Sequence, residues 1–97
     1  MTYSLHPGAE NDIADAIDFY REHAGFAVAS RFIDEFERVA KLLLKHPAFG
    51  TPAPGGRRSY PLRFFPYSVV YRALDSEIRI LIVRHHHRRP GYAGKRR

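Results

Sequence analysis

The chain is predicted to fold as an α+β domain, a hairpin of two helices packed on a mostly antiparallel sheet in the order β-α-α-β-β-β. Three observations predict this. Apolar residues recur at three- and four-residue spacing through residues 9–44, and the period switches to two after a Pro/Gly-rich stretch. The 97 residues suffice for one two-layer core and leave no room for a second domain.

Thr2 to His6 alternates, with Tyr3 and Leu5 on one side, and reads as a short first strand. Pro7 then suits the first helical position, where a missing N–H costs nothing. Behind it Ala9, Ile13, Ala16, Ile17 and Tyr20 form an apolar stripe, while Glu10, Asp12, Asp15, Asp18 and Glu22 read as a solvent face without catalytic signal. Gly25 breaks the pattern. A second stripe follows in Val28, Phe32, Phe36, Val39 and Leu43, widened by Ile33, Ala40 and Leu44, and it should end near His46 because Pro47 disfavours helical geometry before it. A short turn at Gly25 makes the two helices antiparallel.

Thr51-Pro52-Ala53-Pro54-Gly55-Gly56 is turn-rich and reads as a connector. Beyond it Tyr60, Leu62 and Phe64 alternate with Ser59 and Arg63 in a strand that Pro61 marks as an edge, or whose missing donor faces outward. Tyr67 to Leu74 forms the next strand, and Asp75-Ser76 turns the chain into a last strand from Glu77. In that strand Ile80-Leu81-Ile82-Val83 is apolar on both sides, the pattern of a strand covered on both faces.

Charge is divided between the halves. Residues 1–50 carry eight acids and five bases, a net −3, whereas residues 51–97 carry two acids and eleven bases, a net +9. Such a division suits nucleic acid or an acidic protein segment as partner. The absence of cysteine excludes a disulfide framework and a thiolate metal site, and a reducing cytoplasm fits. No run approaches the ~18 apolar residues of a membrane span, so no membrane partner is expected.

The chemistry-bearing residues gather near the end. Strict alternation would put His85 and His87 on one face of the last strand with Leu81 and Val83, and His86 on the other with Arg84 and Ile82. A metal would need a third ligand and no carboxylate lies nearby in sequence, so neither a metal nor a cofactor is expected. Metal-independent RNA cleavage needs a base for the 2′-hydroxyl, an acid for the leaving oxygen and cations on the phosphorane. Arg63, Arg72, His85, His87 and Tyr92 are competent for those roles; they are equally explained as an ion pair (Arg72), packing (Tyr92) and sheet-edge caps (the histidines). Arg88, Arg89, Lys95, Arg96 and Arg97 form a basic end suited to a negatively charged target, with about residues 93–97 expected to be a flexible tail. Val28, Phe32 and Phe36, beside Arg57 and Arg58, offer apolar anchors and charge for an acidic protein partner.

Several fragments, in this order, resemble the RelE/ParE toxin superfamily: His6-Pro7-Gly8-Ala9, Tyr60-Pro61-Leu62, Phe65-Pro66-Tyr67, Val70-Tyr71-Arg72, Val83-Arg84-His85 and Arg89-Pro90-Gly91-Tyr92. The resemblance covers nearly the whole chain and agrees with the element order read from periodicity. It implies the toxin of a bacterial type II toxin–antitoxin pair, neutralised by a ParD-like antitoxin with an acidic tail. It also implies one of two targets, since RelE-like members cut mRNA on the ribosome and ParE-like members inhibit DNA gyrase. The Phe-Pro-Tyr hairpin and the Val-Val-Tyr-Arg strand favour a ParE-like gyrase inhibitor. An mRNA interferase is the alternative, and a non-enzymatic nucleic-acid-binding module ranks third. Ala93 stands where related sequences often carry tryptophan, a departure that bears on how the C-terminal segment docks.

Overall fold

A computed structural model describes residues 2–87. Its elements are β1 (Thr2–Leu5), α1 (Pro7–Ala24), α2 (Phe26–Lys45), β2 (Thr51–Ala53), β3 (Arg57–Pro61), β4 (Tyr67–Ala73) and β5 (Glu77–His85). They form a five-stranded sheet in the order β1-β5-β4-β3-β2, antiparallel except where β1 runs parallel to β5. The two helices cover one face. This is the predicted α+β architecture, with one strand more than expected.

The helix boundaries follow from identifiable residues. His6 caps α1, its Nδ1 accepting from the Gly8 N–H at 2.9 Å, and Pro7 takes the first helical position. Gly25, at φ 93°, reverses the chain between the helices in a conformation that a side chain would strain. Ala9 and Ala16 let α1 approach the sheet closely, and Phe32, Phe36, Val39 and Leu43 carry α2 into the same core with Tyr71, Ile78 and Ile80.

The extra strand, β2, lies in the stretch that reads as a connector. It pairs Thr51 with Ser59 and Ala53 with Arg57, and Gly55 and Gly56 make the turn into β3. β2 reaches no further along β3 than Ser59, so Pro61 sits where β3 has an open side and its missing N–H leaves no ladder bond unmade. The segment after α2 is tied to the sheet by Tyr71. Its buried hydroxyl accepts from the Gly50 N–H at 2.9 Å and donates to the Pro47 carbonyl at 2.7 Å. Burial raises the Tyr71 pKa above the ordinary tyrosine value. A β-carbon on Gly50 would lie 2.6 Å from that hydroxyl, so only glycine fits there.

Strict alternation fails once, in β5. A bulge between the Val70–Ile82 and Tyr71–Ile80 pairs leaves Leu81 without an opposite residue. Leu81 and Ile82 therefore both pack with Val70 on the face away from the helices, while Ile80 and Val83 both belong to the helix-side core. The double-sided apolar run is thereby explained. Leu81 is on the face opposite Val83, contrary to the expected grouping.

Candidate functional site

The turn from β3 to β4 is irregular, and both neighbouring helices hold it. Leu62 N–H donates to the Tyr67 carbonyl at 2.9 Å, and Tyr67 N–H donates back to the Phe65 carbonyl at 2.8 Å. The Phe65 ring stands edge-on to Tyr20 of α1 and Phe32 of α2, with centroids 5.2 and 5.3 Å away. Arg63 N–H donates to Glu35 Oε2 at 2.6 Å, and Arg38 grips the same carboxylate with Nε and Nη2 at 2.7 and 2.8 Å. The Arg38 hydrogen bond is the main reason the Glu35 carboxyl is held below its ordinary pKa; burial opposes the shift and the Arg63 N–H reinforces it. Within this fastened loop Phe64 has φ 66° and is 96% exposed. Reading Phe64 as a strand residue is thus corrected, since β3 ends at Pro61.

The end of β5 lies against the same turn. His86 N–H donates to the Pro66 carbonyl at 2.9 Å, and His86 Nε2 shares a hydrogen bond with Ser68 Oγ at 2.9 Å. His85 packs edge-on to Tyr67, with centroids 5.0 Å apart, and accepts the His87 N–H on Nδ1 at 3.1 Å, which leaves the proton of a neutral ring on Nε2. On the helix side His85 lines a cleft of about 270 Å³ with Asp12, Asp15, Ala16, Phe19, Tyr67 and Val83. Asp12 is buried there, its Oδ2 accepting the Val83 N–H at 3.0 Å. It therefore does not belong to the solvent face. The sequence holds a signal for this: Asp12 is three residues after Ala9 and four before Ala16, on the buried stripe.

Of the nuclease candidates, the fold brings Arg63, His85 and His87 to one end of the sheet and leaves Arg72 at the other. Tyr67 pairs with His85, whereas Arg72 pairs with Arg79 five residues further along β4, about 16 Å away at ~3.3 Å per residue. Alternation also turns Arg72 to the face away from the helices and His85 toward them. Tyr92, Arg88, Arg89, Lys95, Arg96 and Arg97 lie outside the described residues.

Of the candidate partner anchors, Phe32 and Phe36 are buried in the core. Val28 is half-buried. Arg58 Nη1 donates to the Gly50 carbonyl at 2.9 Å, so its guanidinium fixes the segment after α2. Arg57 shares the face away from the helices with Arg72, Arg79 and Arg84, around the apolar floor of Val70, Leu81 and Ile82. Arg79 Nη1 reaches Ser4 Oγ at 3.3 Å, and Arg84 Nε is enclosed with no hydrogen-bond partner among the described residues. Sequence reading selected Arg57 and Arg72 from this group and missed Arg79 and Arg84, which alternation places on the same face.

Comparison with known proteins adds a family. A family model described as the ParE toxin of the type II toxin–antitoxin system parDE matches residues 3–90. The chain is 32% identical over 81 residues to Toxin ParE2 of Mycobacterium tuberculosis, in strains CDC 1551 / Oshkosh and ATCC 25618 / H37Rv, covering 84% of this chain and 77% of the relative. Its fold matches a solved structure from a chromosomal ParDE toxin–antitoxin system of P. aeruginosa with a TM-score of 0.77 and 24% identity, over 88% of this chain and 95% of the other.

Proposed function

Because the chain belongs to the ParE toxin family of type II toxin–antitoxin systems, we propose that it acts on DNA gyrase and is neutralised by a cognate antitoxin. The observation that supports gyrase over ribosome-bound mRNA is the separation of Arg72 from His85 and His87. General acid–base cleavage of a phosphodiester needs proton carriers and phosphorane-binding cations around one phosphorus, within hydrogen-bond reach of it. With Arg72 about 16 Å from His85 along the strand and turned to the opposite face, those two side chains cannot share one phosphate.

Neutralisation by an acidic antitoxin segment suits the face away from the helices. Arg57, Arg72, Arg79 and Arg84 give that face its positive charge, over Val70, Leu81 and Ile82, which are themselves buried. Val28 on α2 remains a secondary apolar contact.

The test is a double substitution, His85→Gln with His87→Gln, assayed for growth arrest, antitoxin binding and melting temperature together. Glutamine keeps hydrogen bonding and removes proton transfer near neutral pH. Growth arrest should persist at wild-type strength. Loss of arrest in a variant that still folds and binds its antitoxin would favour the nuclease instead.

A further inference from the structure

We infer that Phe64 is a preformed anchor that seats in an apolar, carboxylate-rimmed pocket on the folded protein target of this toxin. The inference rests on the reading of the chain as a toxin with a protein target.

The turn is built to hold this one ring out. Leu62 is buried, Arg63 is fixed through its N–H to Glu35, Phe65 is wedged between Tyr20 and Phe32, and the Pro66 carbonyl takes the His86 N–H. Between these fixed points Phe64 occupies the left-handed region at φ 66°, where glycine would be relaxed and a bulky residue is strained. The residue gains nothing from the fold, being 96% exposed. A bulky apolar residue held in an unfavourable backbone conformation and kept in water contributes to a contact outside the chain.

The surroundings define the partner's chemistry. Arg63 and Pro66 are exposed at this end of the sheet, and the nearby Glu35 carboxylate is occupied by Arg38 and the Arg63 N–H. An apolar ring beside the always-charged Arg63 guanidinium is complementary to an apolar pocket edged by Asp or Glu. Because the loop is already ordered, little freedom is lost on docking, and a single ring can act as a hot spot. A preformed pocket belongs to a folded surface. A flexible acidic antitoxin segment has none, and the arginine-bordered face suits that segment.

Phe64→Gly separates function from folding, because glycine relaxes the backbone while deleting the ring. The variant should fold, bind the antitoxin with unchanged affinity, and lose growth arrest; inhibition of purified gyrase should weaken about 30-fold, the size of a hot-spot truncation. Phe64→Trp, which keeps a large ring, should retain most of the effect. Undiminished growth arrest by Phe64→Gly would overturn the inference, as would an equal loss of antitoxin affinity, or a wild-type dimer that this substitution splits into monomers. If wild-type protein leaves gyrase untouched while growth arrest still depends on Phe64, the anchor stands and the gyrase reading falls.

Discussion

Two turns in the same sheet meet the same backbone requirement with opposite residues. Between β2 and β3 the chain reverses through Gly55 and Gly56, at φ 81° and 73°; between β3 and β4 it passes through Phe64 at φ 66°. The first is the relaxed solution. A β-carbon on Gly56 would also come 3.0 Å from Arg72 Nη1, so packing and backbone both call for glycine. The second costs about 1–2 kcal/mol of left-handed strain and leaves unrealised the roughly 1.5–3 kcal/mol that burying a phenylalanine contributes. Where a local rule is broken without compensation inside the fold, the reason lies outside it.

The largest way to break this comparison is to remove the seat of the Phe64 turn. Phe32 is fully buried against Phe65 and Tyr67, the residues flanking the loop's exit. Phe32→Ala should cost about 3–5 kcal/mol in a denaturant titration; a loss below about 1 kcal/mol would mean that the loop does not depend on α2 for its shape.

Next in size is the clasp at Glu35. Glu35→Gln removes the charge that accepts from Arg38 and the Arg63 N–H, and should cost about 1.5–3 kcal/mol. The sign of its pH dependence is fixed. The folded pKa lies below the unfolded one, so the stabilisation is fully present above the ordinary glutamate range and is lost as pH falls through the depressed folded value. Wild-type melting temperature should therefore fall across that acid window, and the Gln variant should show a shallower decline.

Smaller changes sharpen the contrast between the turns. Gly56→Ala should destabilise by about 1 kcal/mol, since alanine must take the left-handed region and crowd Arg72. Phe64→Gly should have the opposite sign, leaving stability unchanged or raising it by up to about 1 kcal/mol, because relieved strain outweighs glycine's extra unfolded-state entropy. Melting curves of the two variants side by side decide this. If Phe64→Gly destabilised as much as Gly56→Ala, the phenylalanine would be serving the fold.

Most of the architecture was legible because it rests on periodicity and breakers. The stripes of α1 and α2, the reversal at Gly25, the stop before Pro47 and the switch to period two are properties of local sequence. β2 was not legible, since three residues, one of them proline, carry too little pattern to distinguish a strand from a connector. The site was less readable than the fold. A bulge at Leu81 shifts side-chain parity without any glycine to announce it, Asp12 is buried by an N–H donor 71 positions away, and the strain at Phe64 exists only once β3, β4 and α2 are assembled. The histidines were found as a cluster, but their separation from Arg72 follows from strand register.

The gyrase assignment is tested most directly by adding the purified protein to two reactions, gyrase-catalysed supercoiling of relaxed plasmid and translation of a defined mRNA on ribosomes. The proposed target predicts inhibited supercoiling, relieved by the cognate antitoxin, with the mRNA left intact. Cleavage of the mRNA within ribosome-bound codons, with supercoiling unaffected, would contradict it.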